Sequence, residues 1–133
     1  MHAIDVHAHW YPRAFLDVLG REGPAHGLEW RETEAGPQFR IRSVLTGPAG
    51  PRFVDLDARL QAMDEQGVAV HALSLSQPML YWAGRELGNR LSAIFNDELA
   101  HAHDVLGARR QQREQRQQQG HEPAARWHPA GGR

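Results

Sequence analysis

After Leu106 the chain carries no Val, Ile, Leu, Met, Phe or Tyr, and Gln111–Gln119 is built only of Gln, Arg and Glu. Such a segment cannot bury enough apolar surface to offset an ordering cost of about 1–2 kcal/mol per residue. Whatever core the 133 residues possess must come from the first 106. The implied organisation is one modest domain over residues 1–106 and a low-complexity polar tail over 107–133, disordered or loosely helical and without a site.

Within the domain, Ala3–His9 reads as a buried strand, and Val68–Leu75 is a β-branched, mostly apolar run without polar alternation, the pattern of a strand buried on both faces. After the first run, Pro12 suits an opening helical turn, Phe15, Val18 and Leu19 form an apolar stripe, and Gly23-Pro24 ends it. Residues 28–44 then alternate. They predict a hairpin of Leu28–Glu34 and Gln38–Val44 around Ala35-Gly36-Pro37, with Phe39 and Ile41 on one face and Arg40 and Arg42 on the other. Asp55 is placed to cap a helix through Gln66 that Gly67 closes in the left-handed conformation. A long helix is expected from about Arg85 to Leu106, on the spacing of Leu87, Leu91, Ile94, Phe95, Leu99 and Leu106. Strand, helix, hairpin, helix, strand, helix is the opening of an α/β architecture with parallel strands, and two parallel strands are too few to finish a sheet. An unpaired strand edge predicts self-association.

The chain has no cysteine, which excludes disulfides and thiolate zinc sites, so a metal must rest on His, Asp or Glu. A net charge of −1 gives no general attraction to nucleic acid. No apolar stretch approaches 18 residues and no secretory leader is evident, so the expectation is a cytoplasmic protein without a membrane or nucleic-acid partner. All fifteen basic residues are Arg, a bias of GC-rich coding sequence.

His7-Ala8-His9 closes the first strand. Side chains two apart on a strand project the same way, roughly 6–7 Å apart along it, so the two imidazoles are placed to hold one ion. The alternative is two histidines satisfied by backbone or water. The same tripeptide at His101-Ala102-His103 falls in the long helix, where residues two apart point about 200° around the axis and cannot converge. Asp5 is expected on the face opposite His7, bonding local backbone, and His71 as a buried core histidine. His2, His26, His121 and His128 are not ligand candidates.

Ile4-Asp5-Val6-His7-Ala8-His9 with Trp10-Tyr11-Pro12 resembles the first strand of the amidohydrolase superfamily. Gln38-Phe39-Arg40, Arg59–Val68, Pro78–Ala83 and Asn96–Ala100 make residues 3–106 similar to the aminocarboxymuconate-semialdehyde decarboxylase branch. The resemblance implies the N-terminal fragment of a metal-dependent (β/α)8 TIM-type barrel, covering its first two strand–helix units with an inserted hairpin. It further implies a carbon–carbon lyase acting on small carboxylated, ring-derived substrates. A hydrolase of the same superfamily is the enzymatic alternative. A non-catalytic module using the tail cluster Arg109, Arg110, Arg113 and Arg116 is the other, although no aromatics interleave there for base stacking.

By the same resemblance His7 and His9 ligate a divalent ion, zinc above all, and Arg40 binds the substrate carboxylate, for which a planar guanidinium is well matched. Arg40 is otherwise a solvated hairpin residue paired with Glu32 or Glu34. Tyr81 and Trp82 follow the carboxyl end of the second strand, where barrel enzymes bind substrate, and either line that pocket or only cover it. The family's later metal ligands and catalytic His have no counterpart, since a full barrel needs about 250 residues. A truncated or frameshifted product with little activity is the expectation.

Overall fold

The computed structural model describes residues 3–119. His2, His121, His128 and the part of the expected tail beyond Gln119 lie outside them. The chain divides into two compact units, Met1–His101 and Ala102–Arg133.

The first unit begins with β1 (Ala3–His9), α1 (Arg13–Glu22) and a 3-10 turn (Gly23–His26). The strands β2 (Leu28–Thr33), β3 (Gly36–Ile41) and β4 (Val44–Leu45) follow, then the one-turn α2 (Pro51–Val54), α3 (Leu56–Gln66), β5 (Val68–Ser74) and the start of α4 (Arg85–Gln119). β1 and β5 form a two-stranded parallel sheet, and β2-β3-β4 a separate antiparallel one.

Local rules account for most boundaries. Asp55 caps α3 through its Oδ1, which accepts the backbone N–H groups of Asp57 and Ala58 at 2.8 and 2.9 Å. Gly67 ends the helix at φ 68°. The hairpin differs from the expected one: Thr33 pairs with Gly36, so Glu34-Ala35 make the turn. Gly36 opens β3 at φ 118°, a conformation reserved for glycine, and Pro37 sits inside the strand before β4 adds a second neighbour. Turn-forming residues are here spent on entering a strand.

One core holds these pieces. Phe15, Leu16 and Leu19 of α1 pack with Leu28, Phe39 and Ile41 of the hairpin and with Leu87, Leu91 and Phe95 of α4. Phe15 meets Phe95 edge-on at 6.0 Å, and Tyr11 meets Phe39 edge-on at 5.6 Å. Within β3 the alternation is as its pattern predicts, with Phe39 and Ile41 buried and Arg40 exposed, but the expected strand to Val44 breaks at Arg42, which takes φ 54° in the turn into β4.

The expectation of buried strands fails. Ile4 is 65% exposed, Val6 78% and Val70 44%, because a sheet of two strands cannot cover both of its sides. α4 also runs beyond Leu106, to Gln119. Gln, Arg and Glu are good helix formers and need no core to favour that backbone. The second unit, in its described part, is the stretch of α4 over residues 102–119. No helix among the described residues is long and apolar enough to cross a membrane.

Candidate metal-binding histidine pair

β1 delivers His7 and His9 beside the carboxyl end of β5, where His9 is in register with Ser74. The two imidazoles meet edge to face, their centroids 4.8 Å apart, with Nε2 to Nε2 at 3.3 Å. Two nitrogens on one tetrahedral zinc, each bound at about 2.0–2.1 Å, stand roughly 3.3–3.4 Å apart. The pair has the spacing of a two-ligand chelate.

Ser74 governs one ring. Its Oγ lies 3.0 Å from His9 Nδ1 and donates a long 3.5 Å bond to the carbonyl of Ala8. When the hydroxyl proton is directed at that carbonyl, Ser74 accepts from His9 Nδ1–H, the tautomer that leaves His9 Nε2 its lone pair towards His7. The sequence reading missed Ser74. Its signal was positional, as the polar residue ending the second apolar strand just as His9 ends the first.

The strand end is anchored from below. Trp10 donates through Nε1 to the carbonyl of Val54 at 3.1 Å, and its backbone N–H bonds the Ser74 carbonyl at 3.1 Å. Tyr11 donates its backbone N–H to Phe53 at 2.8 Å and its hydroxyl to the Gln77 carbonyl at 2.7 Å. Burial raises the Tyr11 phenol above its ordinary range, and a hydrogen bond with Ser76 opposes this in part, so the hydroxyl stays a donor.

On the other side of the sheet lies a polar cluster that the sequence reading did not assemble. β1 and β5 are out of step between Asp5 and Ala8, where three β1 positions span two of β5. Strict alternation would put Asp5 on the face of His7 and His9; this irregularity pairs it instead with His71. Asp5 Oδ1 accepts the His7 N–H at 2.8 Å, the local backbone bond expected of it, and its Oδ2 stands 3.7 Å from His71 Nε2. Arg59 of α3, only 6% exposed, donates to the His9 carbonyl through Nη2 and to His71 Nδ1 at 3.2 Å through Nη1. Burial lowers the Arg59 pKa, opposed by Asp5. Burial and then Arg59 lower that of His71, again opposed by Asp5. Arg59 shares its buried helix face with Ala62 and Met63, three and four residues on, and that spacing could have found it.

The other candidates are not drawn to the histidines by any contact among the described residues. Arg40 is cross-strand to Glu29, 3.9 Å from its carboxylate, and neither Glu32 nor Glu34 is its partner in an ion pair; Trp30 holds Glu32 at 2.7 Å. Tyr81 is 92% exposed. Trp82 is half-buried, packs against the core and donates to the Met79 carbonyl at 3.0 Å. His101-Ala102-His103 lies in α4. Among the described residues no group of three or more His, Asp or Glu is placed to hold one ion.

No model of a known protein family matches the chain.

Proposed function

We propose that the chain comprises the first two strand–helix units of an amidohydrolase-type (β/α)8 barrel, a metal-dependent decarboxylase of small carboxylated, ring-derived substrates, in which His7 and His9 are the first two ligands of a divalent ion, zinc in the first instance. The single observation that carries this reading is the 3.3 Å separation of the two Nε2 atoms. The position of the pair at the carboxyl edge of parallel strands supports it, because barrel enzymes build their sites on that edge.

The donor set fits a metal as half of a site. Two imidazole nitrogens suit a borderline-soft divalent ion, and a catalytic centre of this kind takes three protein ligands and an open position. When bound, the ion supplies Lewis acidity to an oxygen of water or substrate. His7 and His9 would hold it, Ser74 would keep the lone pair of His9 directed at it, and Trp10 and Tyr11 would fix the strand end that bears both rings. Arg40, half-exposed on the hairpin, is proposed to engage a substrate carboxylate through its planar donors. With two ligands present, weak metal binding and little turnover are expected of this chain.

Calorimetric titration with Zn2+ of the wild-type chain and of His7→Ala tests the reading. Binding with about one ion per chain, lost in His7→Ala, supports it. An unchanged isotherm removes His7 from the site, and no binding by the wild type rejects it.

A further inference from the structure

The backbone of His7-Ala8-His9 is held at both ends by one cluster on the opposite side of the sheet, in which Arg59 is buried, the His71 side chain is largely buried and Asp5 is half-exposed. At one end the Asp5 carboxylate accepts the His7 N–H, and at the other the Arg59 guanidinium donates to the His9 carbonyl. His71 stands between them, bonded to Arg59 through Nδ1 and 3.7 Å from Asp5 through Nε2.

The chemistry of this arrangement is directional. Guanidinium has donors only, so His71 Nδ1 must be an acceptor, and the ring is the neutral tautomer with its proton on Nε2. His71 Nε2 and Arg59 Nε are both buried without a hydrogen-bond partner among the described residues. Leaving buried polar atoms unmet is costly, and an isolated buried cation more so, so a cluster kept only for stability would be better replaced by apolar side chains. What the charged version provides is position: a bulge frees the strand from regular pairing between Asp5 and Ala8, and the cluster takes over the fixing of the two residues around it.

We propose that Arg59, supported by His71 and Asp5, is the positioning residue that holds His7 and His9 at chelating distance. Arg59 touches neither imidazole. It acts through the His9 carbonyl, which sets the orientation of the strand end and hence of the ring that Ser74 completes. This rests on the metal-site reading for its consequence but not for its geometry, and the two are separable by experiment.

The test uses the full chain, 15N-labelled at histidine, without metal and then with Zn2+ alone. Without metal, the wild-type His9 ring should show the Nδ1–H tautomer in long-range 1H–15N spectra, and Arg59→Met should show a mixture of tautomers. With Zn2+, Arg59→Met should bind at least tenfold more weakly, and Arg59→Lys, which retains one charged donor, three- to tenfold more weakly. Should Arg59→Met not fold, Arg59→Lys carries the same test. Wild-type tautomer and wild-type affinity in the folded variants would overturn the proposal. A change of tautomer in the variants, with no Zn2+ binding by any form, would instead uphold the positioning role and reject the metal site.

Discussion

Ser74 Oγ stands 3.0 Å from His9 Nδ1 and 3.5 Å from the Ala8 carbonyl, linking the last residues of two neighbouring parallel strands through one hydroxyl. Groups that hydrogen-bond the far nitrogen of a metal-bound histidine fix its tautomer, and their loss costs about 10- to 100-fold in metal affinity. Ser74→Ala is therefore expected to weaken Zn2+ binding about tenfold while leaving the free energy of urea unfolding within about 0.5 kcal/mol of wild type, since Ser74 is exposed overall. Equal affinity in the two proteins, measured by competition with a chelating dye, would detach Ser74 from the site.

His71 sets a dependence of stability on pH. Its folded pKa lies below the unfolded value of about 6.5, from burial first and Arg59 second, against Asp5. Between the two values the unfolded chain binds more protons, so stability rises with pH through this window and levels off above about 6.5. On acidification the contribution of neutral His71 is lost as pH falls through the folded pKa. Urea midpoints taken from pH 7.5 down to 5 should fall more steeply for wild type than for His71→Asn, which cannot titrate. Parallel profiles would show that His71 protonates alike in both states.

Much of the frame was legible because it rests on local rules. Asp55, Gly67 and the Phe15 and Leu19 positions of the α1 stripe each act within a few residues of themselves, and short-range chemistry decides them, although Leu16 rather than Val18 is the third residue buried there. The same holds for the alternation of Phe39 and Ile41 with Arg40. What stayed hidden depends on partners distant in sequence. Ser74 meets His9 across 65 positions through the register of β1 on β5, and Arg59 reaches His9 across 50 from α3. Burial of β1 and β5 was overestimated for a related reason: composition reports what a strand prefers to touch, not whether the chain supplies it.

Gly36 is the most constrained glycine of the hairpin. It combines φ 118° with a position where a Cβ would fall on the carbonyl oxygen of Ala49, whose N–H is itself bonded to Pro37 at 2.8 Å. Neither backbone segment can retreat without breaking that bond. Gly36→Ala should cost about 2–3 kcal/mol, combining left-side backbone strain with displacement of the 46–49 segment. Gly67→Ala, with φ 68° and open space around the Cβ, should cost only about 1 kcal/mol. Denaturant unfolding of the two variants checks the difference, and equal losses would mean that the clash at Ala49 relaxes freely.

Ile4, Val6 and Val70 place an apolar surface on a sheet whose strands each have one hydrogen-bonded neighbour. Open edges carry unpaired N–H and C=O groups that template further strands, and exposed aliphatics beside them add a hydrophobic driving force of about 25 cal/mol per Å2 covered. Association of chains through this sheet is the expected result, increasing with concentration. Val6→Thr together with Ile4→Thr keeps β-branched side chains and strand propensity while reducing the apolar surface. The double variant should therefore move the light-scattering mass towards the 15.0 kDa of one chain. A wild type that remains monomeric at several hundred micromolar would show that the open edge is not adhesive. An equally associated double variant would instead place the contact elsewhere on the chain.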